Sequence, residues 1–480
     1  MAANTYSKAT VLKSFLWKLM EKCSVQGVSF IVTVILARIL SPEEYGIVAI
    51  VTIFLHFSNI LIEGGFSTAL IQKKGYANKD FSTIFYFSLL VALAIYIILF
   101  IGSGAIASFF NEQQLRMVIK VLGINVFFCA INSIQKAYVS KKMLFKKMFV
   151  SSLASAIISG GIAIFLAWKG WGVWALVFYS IISQTLITAT MWFTVRWRPT
   201  LEFSTQSFKQ LFNFGWKIMT THVIISIFTN IRSIIISKFY TATMLAYFDK
   251  GKQLPGLAMD NINSSIQTIL FPVFSEAQED KNRVKQMIRR SIKTNSLFVF
   301  PMMVALALMA ENLVITIYTE KWIAMVPYIQ IFAISYILMP MQLANIEAIK
   351  SLGYSNITLK LEIIKKIIEA IILIISSTIG VIAIAWGVVV YNAICIFINL
   401  YPNTKLLKYS LYEQLHDFLP QLFASLLMGV CIFSTKFMYL GNLTTLFVQF
   451  ILGLASYFII CKLFKLESFE YIYKSITKKK

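Results

Sequence analysis

Apolar runs of about 20 residues, each long enough to cross a bilayer as one helix, recur along the whole chain. They lie near 15–39, 46–66, 82–109, 115–138, 148–168, 172–195, 214–238, 246–273, 292–317, 324–348, 357–379, 381–402, 418–438 and 444–464. A soluble fold cannot cover this much apolar surface, so lipid is the solvent. Composition agrees: 58% of the 480 residues are hydrophobic and 14% charged, against about 45–50% and roughly 25% in soluble domains. Secreted disulfide scaffolds, disordered chains and ordinary cytosolic enzymes are excluded. The predicted class is an all-α integral membrane protein with about 14 transmembrane helices. The run from Phe15 to Ile39 is too long for a signal peptide and reads as a retained span.

The eighth run is the polar one. Between Tyr247 and Phe274 it carries Asp249, Lys250, Lys252, Asp260, Asn261, Asn263 and Gln267. At helical spacing Asp249, Gln253, Gly256, Asp260, Ser264 and Gln267 form one stripe, with Leu254, Leu257, Met259 and Ile262 covering much of the rest. Such a helix has one face on water and another on lipid or protein.

Charge supports this count. With the N-terminus in the cytoplasm and every run crossing once, about 27 Lys/Arg fall in cytoplasmic segments and about six outside. The cytoplasmic groups include Lys73-Lys74-Lys79, Lys141-Lys142-Lys146-Lys147, Lys281-Arg283-Lys285-Arg289-Arg290 and Lys478-Lys479-Lys480. Dropping the eighth span would invert every later loop. The net charge of +23 is thereby explained without nucleic acid, and both termini are expected in the cytoplasm.

An internal repeat accompanies the count. Phe15-Leu16-Trp17-Lys18-Leu19-Met20 and Phe214-Gly215-Trp216-Lys217-Ile218-Met219 open the first and seventh spans, 199 residues apart. Gly172-Val173-Trp174-Ala175 and Gly380-Val381-Ile382-Ala383 recur 208 residues apart. The expected organisation is an N-lobe of six helices over 1–200, a C-lobe of six over 201–404, and two further helices with a basic tail over 405–480. Six is even, so both halves enter from one side, as in carriers built from parallel repeats.

About 11 Lys/Arg and seven acids fall at membrane depth, each costing about 2.5–3.5 kcal/mol at mid-bilayer on insertion scales. They need a wet interior or each other. The candidate anion-binding cations are Lys18, Lys22, Lys136, Lys217, Arg232, Lys250 and Lys252. Glu21, Glu63, Asp249 and Asp260 are candidates for a coupling ion or for charge pairs. Arg232 stands out because His222, Ser226, Thr229, Ser233 and Ser237 recur beside it at helical spacing. Guanidinium binds phosphate bidentately. Lys18, Lys22 and Lys293 can alternatively snorkel. Glu362, Lys365, Lys366 and Glu369 can form one intrahelical cluster. The five cysteines are scattered, and no metal-spaced Cys/His group, P-loop, H-E-x-x-H or G-x-S-x-G motif is present. No catalytic residue, metal or cofactor is expected; H⁺ or Na⁺ coupling is open.

Leu36-Ala37-Arg38-Ile39-Leu40-Ser41-Pro42-Glu43-Glu44-Tyr45-Gly46 resembles the first hairpin of polysaccharide-repeat-unit flippases of the multidrug/oligosaccharidyl-lipid/polysaccharide superfamily. Glu63-Gly64-Gly65-Phe66-Ser67 is similar to that family's second-span motif. Ala246–Pro255, Leu270–Ser275 and Glu320-Lys321-Trp322 with Pro327 resemble further elements in the right order. The family's basic residue in the eighth span is Lys250 here rather than arginine, and Gly251 stands for alanine. A positive charge is kept, but not arginine's fork.

The resemblance implies two six-helix lobes facing each other as a V, with two extra C-terminal helices. It implies alternating-access export of undecaprenyl-pyrophosphate-linked repeat units across the bacterial inner membrane, for O-antigen, capsule or exopolysaccharide synthesis. A polysaccharide polymerase and chain-length machinery would be partners. A drug/cation antiporter on the same fold would want acids to dominate at membrane depth. A membrane-embedded polymerase would bring a large extracytoplasmic loop, and none is visible.

Overall fold

The computed structural model describes residues 8–63, 65–73, 77–276, 279–438 and 441–477. Gly64, Lys74 and Lys478–Lys480 lie outside them. Among the described residues there is no strand. The chain forms α1 (Lys8–Ile39), α2 (Pro42–Glu63), α3 (Phe66–Gln72), α4 (Asn78–Phe110), α5 (Leu115–Leu122), α6 (Asn125–Lys141), α7 (Phe145–Trp168), α8 (Val173–Thr194) and α9 (Thr205–Phe239). It continues with α10 (Ala242–Glu276), α11 (Lys281–Ile317), a 3-10 turn (Glu320–Met325), α12 (Val326–Ile337) and α13 (Met339–Ser351). Then come α14 (Ser355–Ser377), α15 (Val381–Leu406), α16 (Leu411–Ser434), α17 (Asn442–Leu463) and α18 (Glu467–Thr477).

Every expected span coincides with one of these helices or with a broken pair of them. Among the described residues, 12 helical segments are long and apolar enough to cross a membrane. The other two expected spans are α10, 35 residues long, and α14, 23 residues long. Both have the length; charges keep α14 out of the apolar set, and charges together with Asn and Gln keep α10 out. In α14 the charges cancel along the helix, with Lys365 Nζ 2.5 Å from Glu362 and Lys366 Nζ 2.7 Å from Glu369. This is a multi-pass membrane protein. Large apolar side chains such as Ile98, Ile101, Phe193 and Val430 are exposed, as a surface facing hydrocarbon requires.

The repeat is visible in the helix bounds. α1 ends at Ile39 and α9 at Phe239; α2 begins at Pro42 and α10 at Ala242, each 200 residues apart. The broken pair α5–α6 has its counterpart in α12–α13. α7 and α14 begin 210 residues apart, and α8 and α15 begin 208 apart.

By contacts the chain divides into two compact units, Met1–Ala246 and Tyr247–Lys480. The division falls later than residue 200 because α9 packs on α2 and α3 of the first unit.

In the first unit α1 lays Val32, Leu36 and Leu40 against Ala163 and Ala167 of α7. The buried face of α7 is almost wholly small: Ser151, Ser152, Ser155, Ala156, Ser159, Gly160, Ala163 and Ala167. Lipid tails are as apolar as leucine, so helices in a membrane associate through close packing of small residues rather than through the hydrophobic effect. The Ser41–Gly46 motif is a hairpin device. Ser41 N–H donates to Glu44 Oε2 at 2.6 Å, and Glu44 N–H donates to Ser41 Oγ at 3.3 Å. That capping box satisfies donors that a helix start would leave bare. Pro42 occupies the first turn, where its missing N–H costs nothing. The Tyr45 hydroxyl donates to the Thr33 carbonyl at 3.0 Å, closing the hairpin onto α1. Gly46 lets α10 come close: a Cβ there would sit 1.9 Å from the Ala242 carbonyl oxygen.

The second unit is held by a polar core on α16. Asp417 accepts from Arg289 Nε at 2.7 Å and Nη2 at 2.9 Å, and from the Tyr409 hydroxyl at 2.8 Å. Lys293 Nζ lies 3.2 Å away. Lys285 pairs with Glu413 at 2.8 Å. Next to Glu413, Gln414 accepts from Asn345 at 2.8 Å, and Asn403 donates to Asn345 at 2.7 Å. These bonds join α11, α13, α15 and α16. Lys285 and Arg289, two of the loop cations that set orientation in the sequence, are thus also structural, as is Lys293.

Asp417→Ala leaves three donors facing an empty acceptor, two of them charged. It is expected to cost about 3–5 kcal/mol. Thermal melting of the purified protein, followed by size-exclusion chromatography, reads this as a large drop in melting temperature.

Candidate functional site

In the first unit, α6 carries a polar row inside an apolar span. Asn125, Cys129, Asn132 and Lys136 follow at spacings of four, three and four, which puts them on one helix face. Asn125 Nδ2 donates to Ser180 of α8 at 2.8 Å, and Asn132 Nδ2 to Gln184 at 3.4 Å. The other amide atoms, Asn125 Oδ1 and Asn132 Oδ1, have no hydrogen-bond partner among the described residues. Neither amide atom of Gln135, which is 0% exposed, has one. Ser180, Ser183 and Gln184 are half-buried. Unpaired amides cost about 1–3 kcal/mol each in a dry interior. The half-buried Ser180, Ser183 and Gln184 of α8 beside them are groups able to hydrogen-bond a polar ligand such as sugar hydroxyls.

The row ends in a charge pair. Lys136 Nζ lies 3.9 Å from Glu63 Oε1 at the end of α2, and Cys129 Sγ donates to the same oxygen at 3.7 Å. Both charged side chains are about two-fifths exposed, at 42% and 43%. A second group forms on α1: Lys18 Nζ lies 2.5 Å from buried Glu21, which also accepts from Ser152 of α7 at 3.3 Å. Lys22, one turn on, is exposed, as is Lys217 on α9. Arg232 is half-buried and engaged by neighbours. It stands 15 residues from Lys217, roughly 22 Å along the helix axis, so the two do not grip one phosphate.

In the second unit, α10 presents Lys250 Nζ to Gln253 Oε1 at 3.2 Å. Lys250 and Lys252, two residues apart, point to nearly opposite faces. Asp249 and Lys252 are half-buried and engaged. Asp260 lies on the α10 backbone, but its side chain is outside the described residues. The substitution of alanine by Gly251 has a packing reason. A Cβ there would meet Tyr328 Cβ at 2.4 Å. Beside it the Tyr247 hydroxyl donates to the Lys321 carbonyl at 3.1 Å, and the Tyr247 ring meets Trp322 edge-on at 5.9 Å.

The structure therefore brings Lys18 to Glu21, Lys136 to Glu63 and Lys250 to Gln253. It leaves Lys22 and Lys217 solvent- or lipid-facing within their unit. A count of charges overlooked the α6–α8 amides. The signal that finds them is the Asn/Asn spacing within span 115–138. No group of three or more His, Cys, Asp or Glu suited to a metal ion occurs among the described residues.

A further cavity in the second unit is apolar. It has a volume of about 680 Å³ and lies among α10, α11, α17 and α18, with Leu254, Met302, Leu306, Leu454 and Phe458 in its wall.

The sequence profile described as "Polysaccharide biosynthesis protein" matches residues 35–327, more than half of the chain. The chain belongs to this family. Among curated relatives of this polysaccharide biosynthesis protein, the "Succinoglycan biosynthesis transport protein ExoT" of Rhizobium meliloti (strain 1021) is 23% identical over 331 residues. That match covers 69% of this chain and 67% of the relative. The chain spans 67% of that relative's length and 59% of the length of the "Teichuronic acid biosynthesis protein TuaB" of Bacillus subtilis (strain 168). Among solved structures, "Lipid II flippase MurJ, inward closed conformation" superposes with a TM-score of 0.76 at 17% identity, covering 94% of this chain and 98% of that one. A multidrug resistance MATE family transporter of the MOP superfamily, inward-facing, gives 0.59 at 16% identity, covering 80% and 96%. The fold is that of the MOP superfamily.

The Glu63–Lys136 pair is half-exposed, so it contributes only about 0–1 kcal/mol. Lys136→Gln and Glu63→Gln are accordingly expected to melt within a degree or two of the parent protein. Differential scanning fluorimetry checks this, and any transport defect in these variants then reports on binding rather than folding.

Proposed function

We propose that this protein is a lipid-linked oligosaccharide flippase. It translocates undecaprenyl-pyrophosphate-linked polysaccharide repeat units across the bacterial inner membrane by alternating access. The observation that carries the reading is a polysaccharide-biosynthesis sequence on the fold of a lipid II flippase, with unpaired amides on α6 inside an apolar unit. The substrate has three chemically distinct parts. Its sugars suit the amides and hydroxyls of Asn125, Asn132, Ser180 and Gln184. Its pyrophosphate suits some of Lys18, Lys22, Lys136, Lys217, Arg232, Lys250 and Lys252. Its polyprenyl chain suits hydrocarbon, whether the bilayer or an apolar cavity.

Lys18 is held by Glu21 and is the weakest anion ligand of this set. Arg232 and Lys250 are the strongest, being half-buried, Arg232 beside the hydroxyls of α9 and Lys250 on the polar α10. Glu63 and Asp249 are the acids we assign to H⁺ or Na⁺ coupling. Transfer of net charge against the potential costs about 2.3 kcal/mol per 100 mV, so coupling to an ion gradient drives the cycle.

We further assign both termini to the cytoplasm, from the excess of cations at the ends where α4, α7, α11 and α16 begin. Sequences 1–200 and 201–404 are the moving lobes, and α10 and α14 cross the membrane. A polysaccharide polymerase and chain-length machinery act downstream. The drug/cation antiporter reading is less supported: cations outnumber acids at membrane depth, and the matched relative named above is a polysaccharide biosynthesis transport protein.

Arg232→Ala and Lys250→Ala, expressed at parental level, are expected to abolish or sharply reduce complementation of surface polysaccharide in a flippase-deficient host. Proteoliposomes loaded with fluorescent undecaprenyl-pyrophosphate oligosaccharide are expected to show at least about tenfold slower flipping, the equivalent of one charge-assisted hydrogen bond of about 1.5–3 kcal/mol. Parental rates from both variants would remove these residues from the anion site. Absence of flipping by the unmodified protein would remove the function.

A further inference from the structure

Where α11 and α18 begin, a pocket of about 500 Å³ is lined by Arg289, Arg290, Lys293, Thr294, Ser468 and Tyr471, together with Gln286 and Glu467. None of these residues belongs to the candidate translocation site. Arg289 and Lys293 reach back to Asp417, and Lys293 also holds Glu467 at 2.5 Å. Arg290 differs. It is exposed, has no carboxylate partner among the described residues, and its guanidinium sits 3.5 Å over the Tyr471 ring. Stacking on an aromatic face fixes the plane of the fork while leaving its N–H edges to donate. Ser468 is 6% exposed, and its hydroxyl has no hydrogen-bond partner among the described residues.

Three cations against Asp417 and Glu467 leave one net positive charge. That matches a phosphodiester, which carries a single negative charge, better than a diphosphate. The donor types present, a guanidinium fork, an ammonium and two hydroxyls, are those that bind phosphate oxygens.

One turn further along α11, at Leu297 and Phe298, the apolar cavity of about 680 Å³ begins. Phe469 and Tyr473 of α18 line it, their rings stacked at 6.1 Å. α18 therefore turns Tyr471 toward the cationic pocket and Phe469 and Tyr473 toward the apolar one. Its outer face carries the Glu470–Lys474 pair at 3.0 Å. A helix of this kind lies in the membrane interface. A polar pocket of net charge +1 followed by a hydrocarbon-lined cavity is complementary to one class of molecule.

We propose that the α11–α18 pocket holds one anionic phospholipid. Its phosphodiester sits against Arg290, Lys293 and Ser468, and an acyl chain lies between α11 and α17. The lipid ties α18 to the rest of the second unit, and this role does not depend on what the protein translocates.

The test uses the full chain purified in detergent and read by thermal melting and native mass spectrometry. Dioleoyl-phosphatidylglycerol is expected to raise the melting temperature and to remain bound at one copy. Dioleoyl-phosphatidylcholine, inorganic phosphate and undecaprenyl pyrophosphate are expected not to reproduce the shift. Arg290→Gln, on an exposed side chain, is expected to melt like the parent without lipid and to need about tenfold more phosphatidylglycerol for the same shift. Equal stabilisation by phosphatidylcholine, or an unchanged response in Arg290→Gln, would overturn the proposal. An equal shift from inorganic phosphate would make this a free-anion site, and one from undecaprenyl pyrophosphate would make it a substrate site; both refute the phospholipid.

Discussion

Charge satisfaction in a hydrocarbon solvent is the constraint on which the rest of this structure depends. Each ion at membrane depth has to be paired, hydrated or moved to an end. The chain uses all three solutions, and they divide its cations by role. Arg289, Lys293 and Tyr409 converge on Asp417. Lys365 and Lys366 cancel Glu362 and Glu369 within one helix. Lys22 and Lys217 reach the surface of their unit. What remains after this sorting is a short set of polar groups that structure does not use up, and function is sought there.

The same solvent explains why small residues and hairpin caps carry so much of the recognisable sequence. Since burial from lipid gives little driving force, the first unit is assembled by contact: serines and alanines of α7 against Val32 and Leu36, and Gly46 against Ala242. The Ser41–Glu44 box and the Tyr45–Thr33 bond fix the angle at which α2 leaves α1. The motif that first points to the family is thus an architectural one. Gly251 is a parallel case, where the ring-bearing Tyr328 leaves no room for a methyl group.

The helices themselves were legible, because apolar runs of bilayer length admit almost no other structure. The polar α10 was legible from its stripe and from the loop charges, and it is a continuous helix of 35 residues. Its exclusion from the apolar set reflects Asp249, Lys250 and Lys252 in its first half and Asp260, Asn261, Asn263 and Gln267 in its second. The candidate site was less legible. Charges were visible one by one; Lys18–Glu21 is an i,i+3 pair within α1, but Lys136–Glu63 is a pair made by proximity in space. The amides of α6 drew no notice because they carry no charge, and charge was the property by which membrane-depth residues were picked out. Asp417 lies just before the expected span 418–438, yet it is 1% exposed and ties α16 to α11 and to Tyr409.

The sequence by itself determined the solvent, the all-helical membrane architecture, the order of its long helices and the family. These follow from local chemistry, since a helix in lipid must satisfy its own backbone and a turn needs its own cap. Only the tertiary structure decided which charges neutralise each other between helices, as Lys136–Glu63 and Arg289–Asp417 do, and which amides stay unpaired. It also decided that α9 packs with the helices before it, and that a cationic pocket adjoins an apolar one beside α18. Those outcomes depend on side chains up to 174 residues apart, as Lys293 and Glu467 are, meeting within hydrogen-bond distance. No spacing along one helix encodes such a meeting.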